Sequence, residues 1–228
     1  MSNPSSAEKR LLPRLTLSHE VFRDSKSARL FGVVDLSKNG MAIRINDREH
    51  IYSYMVGAEV SGTLSLRREK YPVSGRVRHI GRDQVGIEFE NLRPETIQAL
   101  HTALDPHTLG RDLRRVPTGD TSIFYASEGG TEFFLERDAN QEFTKLVVLA
   151  LGHLVQWDER TGLRTGKIES AYEESYVHGI TRMEKMLFQE DRVIDPAKLG
   201  IAKTLISSSN LPEELKKFCF RRLEGASA

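Results

Sequence analysis

The 228-residue sequence has a single cysteine, Cys219. That excludes an internal disulfide and any zinc site needing two thiolates, and with them the disulfide-stapled secreted scaffolds. The longest apolar run, Leu146 to Gly152, is far shorter than the roughly 20 residues a membrane helix needs. The first ten residues, MSNPSSAEKR, lack the apolar stretch of a secretory signal. A cytoplasmic location with no membrane insertion is therefore expected. Net charge is also nearly absent: 33 Lys and Arg stand against 32 Asp and Glu, leaving +1. This disfavours a strongly basic nucleic-acid coat. Catalytic signatures are missing as well. No GxGxxG, Walker loop, HExxH or GxSxG occurs, and the seven histidines show no metal-ligand spacing. Neither an enzyme nor a bound metal or cofactor is expected.

What is present is unevenly distributed. Residues 1–117 carry 19 basic and 14 acidic side chains, a balance of +5, and residues 118–228 balance to −4. Fifteen of the nineteen N-terminal bases are arginine, whose planar fork suits phosphate and purine recognition better than a lysine point charge. Two modules with different partners are implied. Residues 1–8 read as a flexible segment, 9–105 as one domain, 106–117 as a Pro- and Arg-bearing linker, and 118–228 as a second domain.

The first domain reads as short strands. Leu15–Phe22, Ala28–Val34, Met41–Ile45, Val60–Leu66, Val73–Ile80 and Gln84–Phe89 alternate apolar and polar residues between turn signals. Six strands in so short a span predict a small closed antiparallel barrel or a sandwich. A helix follows, opened by Pro94 and running to about Leu104.

The second domain reads differently. Ser122–Ala126 and Thr131–Glu136 suggest a hairpin. Phe143, Leu146, Val147, Ala150, Leu151 and Leu154 then recur at helical spacing, although a strand reading of that stretch stays open. Ile168, Tyr172, Ser175, Val177, Ile180, Met183 and Leu187 suggest a second long helix. Asp195-Pro196 and Leu211-Pro-Glu-Glu mark two further helix starts. The expected fold class is α+β: a six-stranded barrel with a flanking helix, then a mostly α-helical domain. Within that domain His153 reads as a hydrogen-bonded, partly buried histidine. Cys219 reads as a core or interface thiol rather than one activated by Arg221 and Arg222.

Two motifs carry chemistry. Arg10-x-x-x-Arg14 precedes the first strand, and Asp35-x-Ser37-x-x-Gly40 sits in a strand-to-strand turn. Each alone is common: the first also reads as a solvated flank, the second as a turn capped by Asp or Ser. Together they suit a guanine nucleotide. Arginines clamp phosphate oxygens, reach guanine O6 and N7, or stack on the purine. An aspartate accepts from guanine N1–H and N2–H, and a serine hydroxyl adds a bond. Glycine permits a positive φ and a close backbone approach.

With these motifs in order, and with Val73-Ser-Gly-Arg-Val-Arg-His-Ile80 and Val85-Gly-Ile-Glu-Phe89 ahead of a helix, the sequence resembles the PilZ domain family over about Lys9 to Leu104. Members of that family bind the bacterial second messenger cyclic di-GMP. The resemblance implies a bacterial, non-catalytic receptor. Arg10 and Arg14 would be a mobile arm over the ligand, and Asp35, Ser37 and Gly40 the turn that holds a guanine. Lys9 would influence whether one ligand or an intercalated pair binds. Asn39 and Arg44 read as a turn residue and a solvated strand position. The second domain would transmit a conformational change, or serve as the surface for a protein partner or a homo-oligomer. The alternative is a cyclic di-GMP-responsive DNA-binding transcriptional regulator, against which the acidic second half counts.

Overall fold

The computed structural model describes residues 15–16, 21–45, 48–127, 130–175 and 181–225. Its N-terminal half contains β1 (Leu15–Thr16), β2 (Val21–Asp24), β3 (Leu30–Ser37), β4 (Gly40–Arg44), α1 (Arg48–Ile51), β5 (Glu59–Leu66), β6 (Glu69–Ile80), β7 (Gln84–Phe89) and α2 (Pro94–Ala103). Strands β2 to β7 form a closed antiparallel ring, because β4 pairs with both β3 and β7 and β2 with both β3 and β5. The two-residue β1 adds to β3, with Leu15 opposite Leu36 and Thr16 opposite Asp35. The six-stranded barrel expected from the alternation is thus present, with α2 after it.

Alternation explains the barrel interior. Phe22, Val33, Leu36, Ile43, Ile45, Leu64, Val77 and Val85 are all at most 2% exposed. Each such side chain, moved from water to this core, contributes about 1.5–3 kcal/mol. The β5–β6 hairpin turns on Arg67 and Arg68, which both adopt left-handed backbone with φ of 52° and 68°. That is the geometry a tight hairpin with right-twisted strands demands, filled here without glycine or asparagine.

The C-terminal half departs from the expected mostly helical domain. It is a second antiparallel sheet of seven strands in sequential order: β8 (Arg114–Val116), β9 (Ser122–Ala126), β10 (Glu132–Arg137), β11 (Phe143–Ala150), β12 (His153–Asp158), β13 (Gly162–Ser175) and β14 (Thr181–Glu190). The stretch 143–154, preferred as a helix, is β11, a tight turn and the start of β12. Leu151 and Gly152 fill that turn with φ of 54° and 71°. Leu146, Val148 and Ala150 are buried on one face, yet Leu149 and Leu154, opposite each other on the other face, are 8% exposed. Apolar residues on both faces mask the period of two and mimic a helical stripe. The second expected helix is the β13–β14 hairpin, in which Ile168 opposes Phe188. Val177 and Ile180, counted in that expected helix, lie outside the described residues.

The helical starts at the C-terminus are as expected. Asp195 caps α4 (Pro196–Ser208), accepting from the backbone N–H of Ala197 at 2.8 Å and of Lys198 at 3.4 Å. α5 (Glu213–Glu224) follows, burying Leu215, Cys219 and Leu223. Residues 106–116 hold α3 (Pro106–Asp112), capped by Asp105, and β8. α3 meets α4 closely: a Cβ on Gly110 would lie 2.3 Å from the Leu205 carbonyl oxygen. It also touches the barrel, where Arg67 in the β5–β6 turn pairs with Asp112. α3 therefore bridges the barrel and the helices that cover the second sheet.

Beside α4, Lys198 is buried to 4% exposure and its Nζ lies 2.5 and 2.7 Å from the Asp191 carboxylate oxygens. Asp191 also accepts from the Thr165 hydroxyl at 2.7 Å, and Thr165 Oγ1 accepts from the Asp195 N–H at 2.9 Å. Burial alone would raise the Asp191 carboxyl pKa, but the bonds from Lys198 and Thr165 outweigh it and hold it below its ordinary value. This network ties β13 to the start of α4.

Candidate functional site

The Asp35–Gly40 motif lies on the β3–β4 hairpin. Ser37 and Gly40 oppose each other across Lys38 and Asn39. The Ser37 hydroxyl donates to the Gly40 carbonyl at 3.1 Å, and Ser37 is 5% exposed. The Asn39 carbonyl accepts from the Phe89 N–H at 2.8 Å, fixing the turn to the end of β7.

A β-bulge decides where Asp35 points. The β3–β4 register shifts between Val33 and Asp35. Before the shift, Phe31 and Val33 are buried; after it, Leu36 is fully buried and Asp35 is intermediate. Unbroken alternation from Phe31 and Val33 would put Asp35 in the core. The extra residue reverses the phase, turning Leu36 inward and Asp35 outward on the same side as Ser37. Asp35 Oδ1 is nonetheless shielded from solvent.

The outward face beside Asp35 is made of small residues. Along the cross-strand row, Asp35 opposes Ala42 on β4, Ala42 opposes Gly86 on β7, and Gly86 opposes His79 on β6. The next row runs from Ser37 through Gly40 to Glu88, which accepts from Arg78 at 2.5 Å. Gly40, Ala42 and Gly86 form the floor beside Asp35 and, two residues past Ala42, Arg44; Ala42 is only 7% exposed. Such a floor lets a flat ligand approach the backbone closely.

Gly40 has a different reason from the one read in the sequence. Its φ is not in the left-handed region. Instead a Cβ there would lie 2.4 Å from the Ile87 carbonyl oxygen and 3.3 Å from the Glu88 Cα. The residue is glycine because β4 closes the barrel against β7. Asn39 sits in the turn, as read; Arg44 is on the outward face but half-buried, with its Nε shielded from solvent rather than solvated as expected. Lys9, Arg10 and Arg14 lie outside the described residues; β1 begins with the residue after Arg14 and runs beside Leu36 and Asp35. The bulge, the β1 pairing and the small-residue floor went unread in the sequence. The Gly86 of the Val-Gly-Ile-Glu-Phe strand was the available signal for the floor.

Two side chains singled out in the second half have structural explanations. Burial pushes the Cys219 thiol up to about 12, so it is a core thiol and not an activated one. His153 is partly buried on the helix-covered face, and burial first, then Lys198 and Lys167, lower its pKa. Its buried Nδ1 has no hydrogen-bond partner among the described residues.

Residues 7–105 match the model of the PilZ domain, a family of binding modules rather than enzymes. The matched span ends just after α2, and the seven-stranded second half is assigned to no family. No curated protein matches the chain.

Proposed function

We propose that this PilZ domain makes the protein a receptor for cyclic di-GMP, with Asp35 and Ser37 holding a guanine edge above the Gly40–Ala42–Gly86 floor. The observation that carries this reading is the bulge at Val34. It turns the motif aspartate out of the barrel core and onto the face where β1 arrives from the Arg10-x-x-x-Arg14 segment. Asp35 accepts from guanine N1–H and N2–H. Arg10 and Arg14 supply charge-assisted bonds to phosphate or the guanine Hoogsteen edge. Lys9 adds charge beside them and influences ligand stoichiometry. Gly40 contributes indirectly, by letting β4 close on β7 beneath the ligand.

Binding orders the arm, and the change passes to the second half through α3. The Arg67–Asp112 pair joins the barrel to α3, and the close contact of Gly110 with Leu205 joins α3 to α4. The ligand shifts this equilibrium only by its differential affinity for the two states. Titration calorimetry of the full chain with cyclic di-GMP tests the reading. Arg10→Ala, Arg14→Ala and Asp35→Ala should each weaken binding at least about tenfold, the loss expected for one charge-assisted bond. No heat with the unsubstituted protein at micromolar ligand would refute it.

A further inference from the structure

At the other end of β3 from the Asp35–Gly40 turn, two loops present apolar side chains to solvent. Tyr52, Met55 and Val56, in the segment between α1 and β5, are 83%, 71% and 66% exposed. Leu30, at the start of β3, is 66% exposed. The loops are neighbours: the Tyr54 ring meets the Phe31 ring edge-on with centroids 6.2 Å apart. Tyr54 also feels the charges of Asp24 and Arg29 in the β2–β3 hairpin. The same end is tied to the barrel wall by hydrogen bonds from Gly57 N–H to the Val77 carbonyl and from Ser25 N–H to the Ser61 carbonyl, 2.7 and 2.9 Å. These apolar side chains are therefore held out on a fixed frame.

Lys26 and Arg29 in the hairpin are exposed. The hairpin's acid, Asp24, is buried to 7% and turned inward, accepting from the Ser27 N–H at 2.7 Å and the Ser27 hydroxyl at 2.6 Å. Beyond the other loop, Glu59 is neutralised by Arg76 at 2.8 Å. Exposed apolar groups flanked by cations match a headgroup region with acyl chains beneath it.

We infer that this end of the barrel docks on an anionic lipid surface, with Leu30, Tyr52, Met55 and Val56 entering the interface and Lys26 and Arg29 meeting lipid phosphates. The protein lies on the bilayer by these loops and does not span it. Leu30 and Ser37 are the two ends of β3, so docking leaves the ligand turn about 23 Å away at 3.3 Å per residue. The inference does not rest on cyclic di-GMP binding.

The test is co-sedimentation of the full chain with vesicles of phosphatidylcholine and phosphatidylserine, and with phosphatidylcholine alone. Binding to the anionic vesicles should weaken with salt and fall to a small fraction on phosphatidylcholine alone. The Met55→Glu/Val56→Glu variant and the Lys26→Glu/Arg29→Glu variant should each bind at least about tenfold more weakly, given the loss of interfacial area or of attraction to phosphates. Unchanged thermal unfolding shows that both variants are folded. No binding by the unsubstituted chain, or binding by either folded variant equal to that of the unsubstituted chain, overturns the inference. So does a dimer in light scattering that Met55→Glu/Val56→Glu converts to monomer, which would assign the patch to a second copy.

Discussion

Two glycines on one barrel wall should respond unequally to the same substitution. In Gly40→Ala the new Cβ falls 2.4 Å from the Ile87 carbonyl oxygen and 3.4 Å from the Ile87 carbonyl carbon. Relief needs β4 and β7 to part by close to an ångström, and both contacts are rigid backbone. That movement stretches the 2.8 Å bond from Phe89 N–H to the Asn39 carbonyl, which anchors the turn. Overpacking of this kind costs about 1–3 kcal/mol, and a weakened backbone bond adds about 1. The gain from replacing glycine in a strand returns about 0.5–1. The net is a loss of about 1–3.5 kcal/mol. In Gly86→Ala the nearest atom is the His79 Cβ at 3.4 Å, an ordinary contact on an open face. That variant should stay within about 0.5 kcal/mol of the parent, as for a surface change. Urea unfolding followed by far-ultraviolet circular dichroism measures both. Similar midpoints for the two variants would refute barrel closure as the reason for Gly40. Calorimetry separates the effects further: Gly86→Ala raises the ligand floor and should weaken cyclic di-GMP binding without loss of stability.

The second half offers other tests. Asp191→Asn leaves the buried Lys198 facing only Asp195, at 4.0 Å, and should destabilise by about 3 kcal/mol. Adding Lys198→Met should recover most of that in urea unfolding. The Asp191 carboxyl is held below its ordinary pKa, so its contribution is full above the unfolded value of 3.8 and is lost as pH falls through the lower folded value. The parent should therefore lose more stability below pH 4 than Asp191→Asn/Lys198→Met does. Cys219 should resist a thiol reagent at pH 8 in the folded chain and react on denaturation, which absorbance of the released thiolate reads.

The barrel was legible because most of its strands, though not β4, have one wet face. Gln84–Phe89 carries Val85 and Ile87 inward between outward Gln84, Gly86 and Glu88, and β7 has the bounds its alternation predicts. The second sheet was not legible for the converse reason. Helices α4 and α5 cover one face, while Leu149 and Leu154 are buried on the other, so β11 and β12 lost their polar phase. The turn between them offered only Gly152 as a signal, since Leu151 takes left-handed backbone against its own preference. At the site the residue types were legible and their placement was not. Asp35 and Ser37 stand where a hairpin should be, but the phase change at Val34 leaves no mark in composition. Gly40, expected to need a positive φ, is instead required by the close approach of β7, which no dihedral argument from the sequence anticipates.

The bulge at Val34 also makes chain length, rather than side-chain identity, the sensitive variable in this part of β3. Exchanging Val34 for isoleucine or threonine leaves the count of residues between Val33 and Asp35 intact. Removing Val34 restores perfect alternation, and that regularity would be harmful: it drives a carboxylate inward and a leucine outward. A hairpin that looks like ordinary connecting structure should thus tolerate many substitutions and no deletion, because its frame decides which residues it displays.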